Sequence, residues 1–283
     1  MSSFQRVIKY CAMAFAIFLA VTIISGIVSV VVTVVSAVSG DSIFNNNKEK
    51  INYEENFTDV TSLDIDINTG QLIIMSGDTF RVEAENVTKD FQTKVSDNGT
   101  LIIDESKNNV HFFGFNFNGF NNTNSKITLY LPATFISKDT EINTGAGKVT
   151  IEKLDTESLL ISTGAGNISG NNINAEEVKI DGGVGNTDFE EVSFKNADFN
   201  CGVGNLNIKG ELLGDNTIDC GVGEVKLELT GNVDDYQLNI DSGVGTVRVN
   251  GEKIKDSYQN NNRADNSIEV DGGVGNVRID FMN

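Results

Sequence analysis

From about residue 140 onward, apolar and polar positions alternate in short runs, and the runs recur. Val149-Thr150-Ile151, Leu206-Asn207-Ile208, Val225-Lys226-Leu227, Val247-Arg248-Val249 and Val277-Arg278-Ile279 are apolar–polar–apolar triplets. A period of two is the mark of a half-buried strand. Each triplet begins two residues after a Gly-Ala-Gly or Gly-Val-Gly. That tripeptide occurs seven times: Gly145 to Gly147, Gly164 to Gly166, Gly183 to Gly185, Gly202 to Gly204, Gly221 to Gly223, Gly243 to Gly245 and Gly273 to Gly275. The first five copies are 19 residues apart, and the last two follow gaps of 22 and 30. A fixed period too short to bury an apolar face alone implies stacked units. The glycines sit between strands, where a tight corner or a close backbone approach obstructs a side chain.

Stepping by the period keeps apolar residues in register. Ile142, Ile161, Ile180, Phe199, Ile218, Ile240 and Val270 form one column. Val149, Ile168, Leu206, Val225, Val247 and Val277 form a second, with Thr187 as its exception. Ile151, Phe189, Ile208, Leu227, Val249 and Ile279 form a third, with Gly170 as its exception. Aligned columns predict an all-β fold, a parallel β-solenoid of about 19-residue coils, each hydrogen-bonded to the next at about 4.8 Å. Leucine-rich repeats need a Leu and Asn pattern that is absent, helical repeats need a spacing near 3.6, and calcium-binding nonapeptide repeats need a recurring Asp that is absent here.

Upstream, Leu63 to Gly70 followed by Leu72-Ile73-Ile74 reads as a degenerate first coil. The segments 81–87, 101–104 and 127–131 read as strands of a cap over the open core end. Residues 59–131 are thus assigned to the cap and first coil and residues 132–281 to the seven glycine-marked coils, with compact structure starting near Val60. Residues 41–58, with Asn45-Asn46-Asn47 and mixed charges, read as a polar stalk.

The first 40 residues are a different physical object. No charge occurs from Tyr10 to Gly40, and so long an apolar run reads as a transmembrane helix. A cleaved signal peptide ending near Val35-Ser36-Ala37 is the alternative, although the run is about twice a normal h-region. Arg6 and Lys9 precede the run and Asp41 follows it. That polarity predicts a single-pass protein of the cell membrane, N-terminus cytoplasmic and the remainder extracytoplasmic. Gly26, Ser29, Thr33 and Ser36 share one helix face, a pattern that allows helices to approach closely in lipid and so a possible oligomer or membrane-protein partner.

Charge is divided in the same way. All 40 acidic residues and 19 of the 21 basic ones follow residue 40, so that portion carries −21. This disfavours nucleic acid as a partner and suits solubility, cations or polycationic surfaces. A column of Asn143, Asp181, Asn200, Asp219, Asp241 and Asp271 precedes the glycines and is a candidate for cations or for solvated turns.

The candidate chemistry is sparse. One histidine excludes a His-based metal cluster, no Gly-x-Ser-x-Gly is present, and Gly-x-Gly without a third glycine and a helix is no dinucleotide fingerprint. No catalytic residue, metal ligand or cofactor is expected, and the chain reads as non-enzymatic; a carbohydrate-active β-helix enzyme would need a convergent carboxylate pair, which nothing singles out. Cys11 has no lipobox before it. Cys201 and Cys220 are 19 apart, hence stacked in neighbouring coils, and read as free thiols because the stacking distance is long for a relaxed disulfide. Phe112, Phe113, Phe115, Phe117 and Phe120 crowd one short insertion. It is either a strand face carrying Phe113, Phe115 and Phe117 packed on the cap, or an exposed contact patch.

Taken together, the repeated apolar-x-[Thr/Ser/Cys/Gly]-Gly-[Ala/Val]-Gly units, the strand Ile127-Thr128-Leu129-Tyr130-Leu131-Pro132, the Phe-rich insertion and the N-terminal anchor resemble a bacterial family. This is the putative-adhesin domain family of unknown function, which includes LiaG-like membrane-anchored envelope proteins. The resemblance covers about residues 57–281. It implies a β-solenoid ectodomain and, in some members, surface adhesion or a cell-envelope stress response. It transfers no catalytic residue. The expected function is an adhesin or binding scaffold at the envelope, contacting an envelope polymer or a membrane-protein partner besides the lipid bilayer; the alternative is an accessory or sensory protein of envelope stress.

Overall fold

The computed structural model describes residues 50–105, 111–112, 115–116, 125–254, 257–260 and 263–282. The chain divides into two units, Met1–Asn47 and Lys48–Asn283, and the described residues belong to the second. It is all-β with one long sheet, 79% strand and no α-helix among the described residues, consistent with a β-solenoid. The predicted transmembrane helix and its small-residue face of Gly26, Ser29, Thr33 and Ser36 lie outside the described residues. Among those described, no helix is long and apolar enough to cross a membrane.

The repeat does what its columns require. Ile65 stands beside Ile142, Ile142 beside Ile161, Ile180 beside Phe199 and Phe199 beside Ile218, all in parallel register and all fully buried. The second column runs in the same way from Leu72 through Val149 and Ile168 to Leu206 and Val225. Burying each such aliphatic side chain contributes roughly 1.5–3 kcal/mol. The exception at Gly170 has a steric cause. A Cβ there would lie close to the Phe189 ring and the Ile173 side chain, so Phe189 fills the space that glycine vacates. Its ring packs edge-on against Phe194 at 5.2 Å between centroids, with Phe199 behind at 6.3 Å.

The coils do not stack in chain order. The strand Asn266–Val274 of the last coil lies between Asp215–Val222 and Tyr236–Asp241, parallel to both. Its second arm, Val277–Met282, likewise lies between Val225–Thr230 and Val247–Val249. The final coil is therefore wedged beneath the one that precedes it in sequence, and the expectation that each coil bonds to the next fails here. The widened gaps have their physical reason in this arrangement: the chain skips one rung, builds the outermost coil, and returns to fill the vacancy.

Both ends of the parallel stack are covered by antiparallel strands. Ser257–Gln259 covers Tyr236–Asp241, and Glu252–Ile254 covers Val247–Val249. At the other end Thr100–Asp104 and Lys126–Pro132 form a further rung beside Ser62–Gly77. That rung is closed by Gln92–Val95 and by Phe80–Thr88. Lys50–Phe57 pairs in turn with Phe80–Thr88, so the stalk assigned to residues 41–58 is corrected: its last part is a cap strand. Antiparallel covers of this kind deny other chains a parallel edge.

Outward columns carry amide–carboxylate pairs between rungs. Asn200 Nδ2 donates to Asp181 at 3.0 Å, Asn196 Nδ2 to Glu177 at 2.8 Å, and Lys195 Nζ to Glu176 at 3.0 Å, which dilutes like-charge repulsion in an acidic chain. The dilution fails at Asp64, whose Cα partner is Glu141. Partial burial first, then Glu141 and Asp104, hold its carboxyl above the ordinary value. A carboxyl whose folded pKa is raised favours folding in its protonated form, and that contribution is lost as the pH rises through the raised value. We therefore expect Asp64→Asn to raise the melting temperature at about pH 7 and to leave it unchanged at about pH 3. Paired thermal scans at the two pH values check this; an equal shift at both would place the cause elsewhere.

Candidate functional site

One edge of the stack has a composition that a solvent corner does not require. The second glycine of each tripeptide turns the backbone with φ between 146° and 159° at Gly147, Gly166, Gly185, Gly204, Gly223 and Gly275. A Cβ at any of these six would fall well inside 3.0 Å of the glycine carbonyl oxygen on the neighbouring rung. The first glycines, Gly164, Gly183, Gly202, Gly221 and Gly273, are similarly pressed onto the neighbouring rung, each against the carbonyl oxygen of a glycine of its own column. In the outermost coil the roles change: Gly243 carries the positive φ of 55° and Gly245 does not. The tripeptides are thus places where backbone touches backbone. Gly145 begins the column.

The residue between the glycines faces outward. Val184, Val203, Val222, Val244 and Val274 are 43–57% exposed and stacked: Val184 beside Val203, Val203 beside Val222, Val222 beside Val274, and Val274 bridged to Val244. Ala146 and Ala165 extend the same line. The ladder persists through the corner, with Gly185 N donating to Val203 O at 2.9 Å and Gly204 N to Val222 O at 2.9 Å. The outcome is an apolar ridge along the edge, with its members held at rung spacing.

Polar ladders flank the ridge. On one side the Asn167 carboxamide oxygen accepts from Asn186 N at 2.9 Å, Asn186 from Asn205 N at 3.1 Å, and Asn205 from Glu224 N at 3.0 Å. On the other side lie Asp181, Asn200 and Asp219, in an open groove of about 340 Å3 that also exposes Cys201. Among the described residues no group of three or more His, Cys, Asp or Glu side chains is arranged to hold a metal ion. In the Asp/Asn column, Asp241 already accepts from Gly243 N at 2.8 Å.

The Phe-rich insertion leaves from the corner of the rung next to the first coil. Glu105 Oε2 accepts from Asn68 N at 3.2 Å, Ser125 Oγ donates to Thr69 O at 2.6 Å, and Gln71 N donates to Ser125 O at 2.9 Å. Inside the insertion, His111–Phe112 and Phe115–Asn116 pair antiparallel, with Phe112 opposite Phe115. The reading of Phe113, Phe115 and Phe117 as one strand face rests on residues of which only Phe115 is described. Phe113, Phe117 and Phe120 lie outside the described residues. The ridge itself was missed in the sequence because a residue between two glycines reads as a solvated turn; its signal was an alanine or valine at every one of the seven corners.

Stacked parallel rungs with a glycine corner and antiparallel end caps define the class of protein: an all-β repeat domain. More particularly, the chain belongs to the Toastrack DUF4097 family, whose model matches residues 59–263. It is similar to three solved structures. A putative cell adhesion protein from Clostridium sporogenes ATCC 15579 shares 17% identity, with 83% of this chain and 100% of that one covered and a TM-score of 0.37. A putative adhesin from Bacteroides fragilis NCTC 9343 shares 13%, covering 84% and 99%, with a TM-score of 0.33. A putative lipid binding protein from Parabacteroides distasonis ATCC 8503 shares 16%, covering 81% and 97%, with a TM-score of 0.45. No curated protein matches the chain.

Proposed function

We propose that the chain is a non-enzymatic binding scaffold of the cell envelope. The apolar run at residues 10–40 anchors it in the membrane with the N-terminus cytoplasmic, and a β-solenoid ectodomain presents one edge to an extended envelope polymer. The observation that carries this reading is the valine ridge. Apolar side chains repeated at rung spacing, bordered by hydrogen-bonding groups, suit a partner that is itself extended and repetitive, because each rung then adds the same small contact.

Changing Val184, Val203 and Val222 together to asparagine tests it. These positions are half-exposed, so stability should move by less than about 1 kcal/mol. Binding of the purified chain to isolated cell-wall polymer, read by co-sedimentation, is expected to fall at least about tenfold, which corresponds to about 1.4 kcal/mol. Unchanged sedimentation would overturn the role of the ridge. The sensory reading is favoured by the spacing of Gly26, Ser29, Thr33 and Ser36, which a helix would place on one face. An unrelated anchor in place of residues 1–40 separates the two: a scaffold keeps its function and a helix-coupled sensor loses it.

A further inference from the structure

Cys201 and Cys220 are free thiols on adjacent rungs, each the other's Cα partner in parallel register. Their column continues to Gly182 on one side and Gly272 on the other, so within this column the two cysteines carry the side chains of four successive rungs. Gly182 leaves room: a Cβ added there would meet nothing nearer than Asn200 O at 3.8 Å. Cys220 is buried, while Cys201 is partly buried and lines the groove that Asp181 and Asn200 also line. The pair therefore has one solvent-facing member, one enclosed member and free volume beside them.

Distance decides what the pair suits. Rungs repeat at about 4.8 Å, whereas a relaxed disulfide needs its Cβ atoms near about 3.8 Å. Two metal–sulfur bonds laid end to end, at the length of about 2.3 Å known for zinc–thiolate bonds, span about 4.6 Å, close to the rung spacing. Zinc requires four ligands, and no third ligand stands beside the thiols among the described residues. Soft monovalent ions favour thiolates and are satisfied by two in line.

We propose that Cys201 and Cys220 form a two-thiolate site for one soft monovalent ion of the copper(I) or silver(I) class. Binding exchanges two S–H bonds for two S–metal bonds and releases two protons to solvent, with no change of oxidation state. Cys201, which lines the groove, meets the ion first, and the enclosed Cys220 closes the bridge from behind. The acidic groove raises the local concentration of cations.

The test uses the full-length chain with Cys11→Ser, so that only this pair can respond. Anaerobic titration with silver(I), read by native mass spectrometry and by thiolate-to-metal absorption in the ultraviolet, is expected to load one ion per chain. Cys201→Thr, the residue type that the column carries at Thr144 and Thr163, should lose that ion while keeping the urea midpoint. In the chain retaining both thiols, one equivalent of silver(I) should suppress maleimide labelling of Cys201 by about tenfold or more, matching a bound ion that must dissociate first. Unchanged loading in Cys201→Thr overturns the proposal, as does labelling that is equally fast with and without the ion. A chain two hydrogens lighter before any metal is added, with neither thiol titratable, overturns it in favour of a disulfide. Two chains per ion does so in favour of an intermolecular bridge.

Discussion

Gly223→Ala will detach the last three rungs of the stack from the rest. The new methyl group would sit more than 1 Å inside the 3.0 Å that real Cβ atoms keep, and the atom it meets is the Gly204 carbonyl oxygen. That atom is backbone and cannot rotate away. The residue also holds φ at 151°, where an L side chain costs about 1–3 kcal/mol. Relief requires the rungs to separate, which stretches the neighbouring bonds Gly204 N to Val222 O and Leu206 N to Glu224 O, both at 2.9 Å. Together these put the loss above about 4 kcal/mol, in the range reserved for named steric failures. Because a stack of repeats is stabilised by nearest neighbours, the damage should be local in one direction. Hydrogen exchange is expected to lose protection across residues 215–282 while the rungs before Gly204 stay protected. Gly182→Ala is the matched control: open space surrounds that position, so it should be neutral, or stabilising by up to about 1 kcal/mol through the unfolded chain. Equal effects at the two glycines would refute the steric argument.

The contrast between those glycines shows what was legible in the sequence. The 19-residue beat, the apolar columns and the parallel register follow from Ile142, Val149, Ile151 and their equivalents, because a core column must be apolar on every rung. The order of the last two coils does not follow. Ile240 and Val270 satisfy the same column equally well, so periodicity alone cannot say which of them stands next to Ile218; contact between Ile218 and Val270 is a tertiary choice. Lys50–Phe57 escaped for a different reason: only Ile51, Tyr53 and Phe57 are partly buried in it, and its charges look like those of a stalk. The Asn that follows the glycines at Asn167, Asn186 and Asn205 is visible only as a letter. Its reason, a carboxamide oxygen that accepts the backbone N–H one rung on, emerges only when rungs are stacked.

Asn216 was equally silent in the sequence, and its replacement is the second large effect expected. It is 2% exposed and stands beside Ile268 in an otherwise apolar line. Its carboxamide oxygen accepts from Ala197 N at 3.1 Å, and Nδ2 donates to Leu213 O, Gly214 O and Ser267 O at 3.2, 3.2 and 3.1 Å. One side chain thus serves three rungs, at the point where the ladder between Ala197–Val203 and Asp215–Val222 starts only at Asp198 opposite Thr217. Asn260 performs the same task for the outermost rung, accepting from Leu238 N at 2.8 Å and donating to Tyr236 O at 3.0 Å. Leaving a buried donor or acceptor unmatched costs about 1–3 kcal/mol. Asn216→Ala bares the Ala197 N–H outright and weakens three carbonyls that each retain a second lone pair, so about 3 kcal/mol is expected. Asn216→Leu restores the apolar volume without serving the N–H, and should recover only part of the loss. Asn216→Asp keeps the acceptor but replaces three donor contacts with repulsion from carbonyl oxygens, and should be the worst of the three at neutral pH. Urea denaturation with unchanged slope measures each difference. Because Ser267 belongs to the wedged final coil, amides of Asn266–Val274 should exchange faster in all three variants. A loss below about 1 kcal/mol in Asn216→Ala would mean that water reaches these groups, and that the amide fills a turn instead of fastening the final coil to its neighbour.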